Sequence, residues 1–202
     1  LIMSLSGGMA ALDTTAKRWY EVTNSIVWQA YGLAETSPLV SVPNYKQTEF
    51  TGSVGLPAAF TEIQIRDEEN NVLTETNAVG ELCVRGPQVM SGYWNSEVSG
   101  LDENNWFMTG DIARVDETGN IFIVDRKKDM IIVSGFNVYP NEVEAVVYGH
   151  PDVLECAAIG IADQRTGEAV KLFVVAPCPE LDKTKLKAFC RERFAGYKVP
   201  KH

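Results

Sequence analysis

Apolar residues open the chain from Leu1 to Leu5 and run straight into Gly7-Gly8, a pattern that predicts a strand ending in a tight loop. Ala16, Trp19 and Tyr20 then recur at helical spacing behind Asp13 and Thr14, either of which can cap a helix. Ile26 to Ala30 reads as a short buried strand that feeds the loop Tyr31-Gly32-Leu33-Ala34-Glu35-Thr36-Ser37-Pro38. Strand, helix and strand in that order point to the end of an α/β unit. From Tyr45 to Val124 the texture changes. Apolar and polar residues alternate in Glu62-Ile63-Gln64-Ile65-Arg66 and in Glu81-Leu82-Cys83-Val84-Arg85. Turn clusters such as Glu69-Asn70-Asn71 and Asp116-Glu117-Thr118-Gly119-Asn120 punctuate them, which predicts a small antiparallel sheet or barrel.

A charged cluster, Asp125-Arg126-Lys127-Lys128-Asp129, separates two apolar strands, and mixed α/β patterning resumes after it. Pro140 and Asn141 open a predicted helix with Val143, Val146 and Val147 on one face, closed by Gly149 and Pro151. Val153 to Ile161 and Val170 to Val175 are strand-like, and Asp182 or Thr184 can cap a last helix carrying Leu186, Phe189, Cys190 and Phe194. The fold class read from this is α/β and α+β in three regions. Residues 1–45 form the end of an α/β layered subdomain, residues 46–127 a β-rich, barrel-like subdomain, and residues 128–202 a hinge and a small α+β domain on a three-stranded sheet.

Composition narrows the function classes. The 202 residues are 45% hydrophobic, which is enough apolar material for a sizeable core and excludes intrinsic disorder. The formal net charge of −9 argues against a nucleic-acid partner, which needs a basic face. No run of about 18 apolar residues is present to span a bilayer. The four cysteines, Cys83, Cys156, Cys178 and Cys190, show no zinc-ligand spacing, and His150 and His202 are the only histidines. Such scattered cysteines fit reduced, mostly buried thiols of a cytoplasmic protein. The chain starts inside an apolar run and stops at a Lys-His pair, so it reads as a piece of a longer protein.

Several positions carry candidate chemistry, each with an ordinary alternative. Gly7-Gly8 lets a flat ligand approach the backbone, or is a tight turn. Tyr31 beside Gly32 offers an aromatic face, or is a core ring. Glu35 with Thr36 can hold Mg²⁺ and a phosphate through hard oxygens, or is a solvated carboxylate. Asp111, just past Gly110, can accept from ribose hydroxyls, or caps a turn. Arg126 is a planar fork of donors, or one side of a surface ion pair. Lys128 between two strands is a hinge, or a solvated loop. Gly135 lines a narrow channel, or is a turn between a strand and a helix.

In their order along the chain these segments resemble the motifs of adenylate-forming enzymes. Ser6-Gly7-Gly8-Met9 comes first, then Tyr31-Gly32-Leu33-Ala34-Glu35-Thr36, then Gly80-Glu81-Leu82 continuing to Gly92-Tyr93-Trp94. Trp106-Phe107-Met108-Thr109-Gly110-Asp111, the charged cluster at 125–129, and Gly135-Phe136-Asn137-Val138-Tyr139-Pro140-Asn141-Glu142-Val143-Glu144 follow. The chain is most similar to bacterial long-chain fatty acid–CoA ligases. The resemblance implies that ATP and a fatty acid form an acyl-adenylate and pyrophosphate, and that the CoA thiol then gives acyl-CoA and AMP. It implies that Gly7, Gly8, Tyr31 and Gly32 line the adenine pocket and that Asp111 and Arg126 hold the ribose, while Thr36, a candidate phosphate contact beside Glu35, is not at the position the family motif uses. Catalytic parts fall to Glu35, as the Mg²⁺ ligand, and to Lys128, as the hinge of the small domain. Gly135 meets pantetheine. Fatty acid, ATP and CoA are the implied partners, with a peripheral contact at the inner face of the membrane left open because fatty acids partition there. An acyl-AMP ligase, a ligase for other acids, and, for this piece alone, a non-catalytic nucleotide-binding module are the rival readings. Oligomeric state is not encoded legibly.

One position departs from the family pattern. A Thr or Ser usually precedes the Glu of the tyrosine-glycine loop, and here it is Ala34. A missing hydroxyl weakens a phosphate contact by about 1 kcal/mol unless another group replaces it. The family's phosphate loop is expected upstream of Leu1 and its adenylating lysine beyond His202, so the 202-residue piece is expected not to adenylate by itself.

Overall fold

The computed structural model describes residues 3–96, 99–177 and 181–202. Leu1 and Ile2, the head of the first apolar run, and Cys178 lie outside the described residues. The chain has a mixed α/β architecture with open sheets, and it divides into two compact units, Leu1–Ile123 and Val124–His202.

The first unit begins with strand β1 (Ser4–Ser6), helix α1 (Asp13–Thr23) and strand β2 (Val27–Gln29). β1 and β2 pair in parallel, with Ser6 opposite Gln29. Asp13 is the first helical residue rather than the cap: Leu12 occupies the cap position without a side-chain bond, and Asp13 instead forms an i,i+4 ion pair with Lys17 at 2.5 Å. Neither Asp13 nor Thr14 therefore caps α1, contrary to expectation. Of the apolar helix positions only Ala16 is buried, while Trp19 donates its indole N–H to Ser4 Oγ at 3.0 Å.

Short strands β3 (Ser41–Val42) and β4 (Leu56–Pro57) pair antiparallel. Strands β5 (Glu62–Arg66), β6 (Val72–Leu73), β7 (Gly80–Arg85), β8 (Phe107–Val115) and β9 (Ile121–Arg126) form a five-stranded sheet in the order β6-β5-β7-β8-β9. Alternation decides which side is buried: Ile65, Leu82, Val84, Ala113 and Ile121 pack with Val40 and Val54 into one core. The register of β7 against β8 slips between Glu81 and Cys83, a β-bulge that matters for the site below.

The second unit opens with the end of β9 and a 3-10 turn at Lys127–Asp129. Strands β10 (Ile131–Val133) and β11 (Phe136–Val138), helix α2 (Pro140–Val147), strands β12 (Glu155–Asp163) and β13 (Gly167–Val175) and helix α3 (Lys183–Arg193) complete it. Its sheet has four strands, in the order β11-β10-β13-β12, one more than the pattern predicts. The extra strand is β11: Ser134 and Gly135 both have positive φ, 52° and 82°, and turn the chain directly from β10 into it. Gly135 thus sits in a strand–strand hairpin, not in a strand–helix turn.

Val143 and Val147 of α2, Leu186 and Cys190 of α3, and Ile131, Val138 and Val170 of the sheet build the second core. Pro140 occupies the first turn of α2, where its missing N–H costs nothing. Asp182 caps α3 by accepting from the amides of Thr184 (2.9 Å) and Lys185 (3.2 Å). Burial pushes the Cys156 thiol up to about 12, so it stays an unreactive thiol.

Lys201 ties the end of the chain to Asp163, whose other oxygen accepts the Thr166 hydroxyl at 2.9 Å and the amides of Arg165 and Thr166. The Lys201 ammonium, then Thr166, hold the Asp163 carboxyl well below the usual carboxylate range. Near pH 4 the unfolded chain therefore binds more protons at this group than the folded one. The stabilisation is complete above about pH 5 and is withdrawn as pH falls through 4 toward the depressed folded value. Asp163→Asn is expected to be less stable than the parent in urea at pH 7, with the gap narrowing steadily between about pH 5 and 2. A gap that stays constant across that range would refute the assignment.

Candidate functional site

The site in the first unit is built where the parallel pair β1–β2 hands over to the 31–38 loop. The chain leaves β1 at Ser6, whose carbonyl accepts the Ala30 amide at 3.0 Å, so Gly7 lies beside Ala30 and next to Tyr31. Gly7 and Gly8 are exposed. The Tyr31 backbone is fixed from behind. Its N–H donates to Ser41 Oγ at 3.1 Å, and its carbonyl accepts from Val40 (2.9 Å) and Ser41 (3.0 Å). The Tyr31 hydroxyl reaches across the unit and donates to Asp111 Oδ2 at 2.5 Å, joining residues 80 positions apart.

Asp111 is aimed by the bulge in β8. Gly110 adopts φ +72°, where a side chain is strained, and its amide donates to the Glu81 carboxylate at 3.1 Å. Thr109 Oγ donates to the Leu82 carbonyl at 2.7 Å and accepts the Asp111 amide at 3.1 Å. The extra residues of the bulged strand rotate Asp111 out of the ladder's regular alternation, the use to which bulges beside sites are put. The carboxylate is only 5% exposed yet paired, as a buried charge must be.

The 31–38 loop closes on itself. A Cβ on Gly32 would stand 1.6 Å from the Pro38 carbonyl oxygen, so no side chain fits there. The close approach that Gly32 permits is thus between the two arms of its own loop. Thr36 is fully buried. Its hydroxyl accepts the Leu33 amide at 3.0 Å and lies 3.0 and 2.8 Å from the carbonyls of Leu33 and Pro38, one of which takes its proton. Thr36 is therefore the internal clamp of the loop and does not present its hydroxyl to a phosphate, which corrects its assignment as a ligand. Ala34 is exposed at the start of the 3-10 turn Ala34–Thr36.

Glu35 is half-buried at the middle of that turn. Tyr93 donates its hydroxyl to Glu35 Oε1 at 2.9 Å, and this bond raises the Tyr93 phenol above its ordinary value. Sequence reasoning placed Tyr93 in a motif without a role. Its partner 58 positions away leaves no local signal. Among the described residues no group of three or more His, Cys, Asp and Glu gathers that could hold a metal ion, so a cation at Glu35 would take at most one further ligand of these types from the protein. So few hard carboxylates suit Mg²⁺, which keeps several waters and takes its remaining ligands from phosphates.

The other candidates belong to the second unit. Arg126 is exposed at the end of β9, and its amide donates to Asp125 Oδ1 at 2.7 Å. Asp125 Oδ2 accepts the Asn141 amide at 2.8 Å, which seats the start of α2. Lys128 is exposed in the 3-10 turn. Gly135 is exposed in the β10–β11 hairpin, next to Phe136, whose ring stacks on Tyr197 with centroids 4.7 Å apart. Lys198, beside Tyr197, pairs with Glu142 of α2 at 2.7 Å, so the hairpin, α2 and the 196–198 turn are tied together.

Residues 1–94 match the family model described as AMP-binding enzyme, and residues 142–202 the model of the AMP-binding enzyme C-terminal domain. The chain is 50% identical over 203 residues to the long-chain-fatty-acid–CoA ligase of Escherichia coli O157:H7, covering 100% of this chain and 36% of that protein. It is 41% identical to the ligase of the same name from Bacillus subtilis, covering 99% of this chain and 36% of that protein. Among solved structures it is similar to ATP-bound MatB from Rhodopseudomonas palustris, with a TM-score of 0.91 at 31% identity over 98% of this chain and 40% of that one. The o-succinylbenzoate CoA synthetase of Bacillus subtilis, in complex with its acyl-adenylate intermediate, gives 0.85 at 34% identity over the same shares. The chain therefore spans 36% of the length of the curated relatives it matches.

Proposed function

Because this chain belongs to the adenylate-forming, AMP-binding enzymes, we propose that it is part of an ATP-dependent long-chain fatty acid–CoA ligase and supplies the nucleoside grip of its adenylating site. The observation that carries this reading is the Tyr31–Asp111 hydrogen bond beside the exposed Gly7-Gly8 bend. It sets an aromatic ring, a bare backbone edge and a carboxylate within one neighbourhood of the first unit. A purine stacks on the ring, the glycines leave room for its edge, and the Asp111 carboxylate accepts from the ribose hydroxyls.

The chemistry is leaving-group chemistry. A carboxylate is a poor electrophile, and a mixed anhydride with AMP is a good one. The fatty acid carboxylate oxygen attacks the α-phosphorus of ATP, and the bond to pyrophosphate breaks. The CoA sulfur then attacks the acyl carbon, AMP leaves with the C–O electron pair, and the thiol proton is lost to solvent. Holding the nucleoside rigidly supplies orientation for the first step. Glu35 is the residue that would hold Mg²⁺, whose charge offsets that of the phosphates. With Ala34 lacking a hydroxyl and Thr36 turned inward, the phosphate contact of this loop falls to backbone amides or to other segments. In this reading the five-stranded sheet with β3–β4 is the barrel-like subdomain of the large domain. Arg126, Lys128 and Gly135 take the ribose, hinge and pantetheine roles that the family motif assigns. Its ATP and CoA pools place such an enzyme in the cytoplasm. Among the described residues no helix is long and apolar enough to cross a membrane, so contact with a fatty-acid-bearing membrane would be peripheral.

The test supplies the full-length protein with ATP, Mg²⁺, CoA and a C6, C16 or aromatic acid, and follows AMP and thioester. Thioester forming fastest with the C16 acid is the expected result. Adenylate that accumulates without thioester would make the protein an acyl-AMP ligase, and a preference for the aromatic acid would overturn the substrate assignment.

A further inference from the structure

One segment, residues 86–93, holds the Glu35 loop at three points. The Met90 amide donates to the Glu35 carbonyl at 2.8 Å, Gln88 Nε2 donates to the Leu39 carbonyl at 3.1 Å, and Tyr93 donates to Glu35 Oε1 at 2.9 Å. Gln88 is itself anchored through Thr61 Oγ at 2.7 Å. The first two contacts place the loop's backbone, whereas the third acts on the carboxylate. Among the described residues no other group hydrogen-bonds that carboxylate, so Tyr93 occupies Oε1 and Oε2 is left without a partner.

We propose that Tyr93 is a positioning residue for Glu35, holding the carboxylate in one rotamer with Oε1 engaged so that Oε2 is presented to the cation. The proposal rests on the reading of Glu35 as the Mg²⁺ ligand. A half-exposed glutamate otherwise samples several rotamers, and ordering it must be met from the binding free energy each time a cation arrives. A hydroxyl donating to an ionised carboxylate is among the stronger hydrogen bonds, and it persists when the second oxygen binds a metal. Loss of an outer contact of this kind typically costs about 10–100-fold in metal affinity or activity, and one that only pre-orders the ligand acts through affinity. Tyr93 is suited to the task because its own backbone belongs to the segment that fixes the loop. The distance between donor and acceptor is thus set by the same contacts that place Glu35.

The experiment measures acid-dependent ATP–pyrophosphate exchange by the full-length protein against free Mg²⁺, for the parent, Tyr93→Phe and Glu35→Gln. Tyr93→Phe keeps the ring and removes only the hydroxyl. It is expected to raise the half-saturating Mg²⁺ about tenfold, with the rate at saturating Mg²⁺ within about twofold of the parent and the melting temperature unchanged. Loss of rate at every Mg²⁺ concentration with an unchanged half-saturation point would mark Tyr93 as merely structural and overturn the proposal. If Glu35→Gln shifts the Mg²⁺ dependence and Tyr93→Phe does not, the proposal fails and the assignment of Glu35 stands. If Glu35→Gln leaves the dependence unaltered, that assignment falls and the role of Tyr93 falls with it.

Discussion

Replacing Asp111 by alanine is expected to lower kcat/KM for ATP by about two to four orders of magnitude in the full-length protein, while KM for the acid moves little. The size follows from the bonds removed. A hydrogen bond to an ionised group contributes roughly 1.5–3 kcal/mol, so two ribose hydroxyls together account for about 3–6 kcal/mol. Each 1.4 kcal/mol is a factor of ten. The bulge of β8 makes the estimate apply at this position, because Gly110 and Thr109 fix the carboxylate before any ligand arrives. Little binding free energy is then spent on ordering it. Alanine also removes the Asp111 acceptor of the Tyr31 hydroxyl, 2.5 Å away. Asp111→Asn, which keeps the shape and an acceptor but loses the charge, is expected to fall between the parent and the alanine variant. Tyr31→Phe keeps the stacking ring and should cost less than about tenfold, the worth of one ordinary hydrogen bond. Nucleotide titrations of the four proteins, with melting temperatures as a control for folding, check the order. Asp111→Ala binding ATP as tightly as the parent would remove the nucleoside grip from this part of the molecule.

Much of the architecture was readable from local pattern, because local pattern is what caps, turns and amphipathic faces are made of. Asp182 before a polar-apolar helix announces a cap, and it caps. Val143 and Val147 share a face because four residues make about one turn, and both are buried. Where a feature is short or non-local the pattern fails. β11 is three residues long, and its turn has Ser134 in the left-handed region where the usual signal is Asn or Asp before glycine. The Leu12 cap of α1 makes no side-chain bond and so leaves no residue type to recognise. Thr36 next to a carboxylate looks like a ligand in sequence. Only the folded loop reveals that its hydroxyl is consumed by Leu33 and Pro38. Tyr31 with Asp111, and Glu35 with Tyr93, are pairings across the sheet and loops that no spacing rule could relate. The resemblance to a family named Tyr31, Glu35 and Asp111 together, and the geometry supplies a reason for the Tyr31–Asp111 bond. Tyr93 entered only as part of a motif, and its bond to Glu35 emerges from coordinates alone.

The strongest structural dependence in the first unit falls on Trp106, and Trp106→Ala is expected to destabilise that unit by about 3–5 kcal/mol, the usual cost of emptying a buried aromatic site. Trp106 is 5% exposed and two guanidinium groups approach its ring, Arg85 at 4.6 Å and Arg66 at 5.5 Å from the centroid. Neither arginine is held by the ring alone. Arg85 is bidentate on Glu62 at 3.1 and 2.7 Å, and Arg66 pairs with Asp102 at 2.8 Å. Asp102 in turn accepts the amides of Asn104 (2.8 Å) and Trp106 (2.9 Å), so ring, loop and ion pair close a cycle. Removing the ring leaves the nearly buried Arg66 beside a cavity and frees the loop that presents Asp102 to it. A buried charge whose partner becomes mobile is costly, which places the expected loss toward the upper end of the range. Trp106→Phe retains a quadrupole face and most of the volume, so it should lose only about 1–2 kcal/mol. Since 5–15 kcal/mol is the whole stability of an ordinary domain, the alanine variant should melt far earlier than the phenylalanine one. Denaturant unfolding of the 202-residue chain, read by circular dichroism, measures both. An alanine variant within about 1 kcal/mol of the parent would show the contacts of the two arginines with the indole to be ornamental. Trp106 immediately precedes the strand that carries Thr109, Gly110 and Asp111. The alanine variant should therefore also weaken nucleotide binding in the full-length protein, at temperatures where it is still folded.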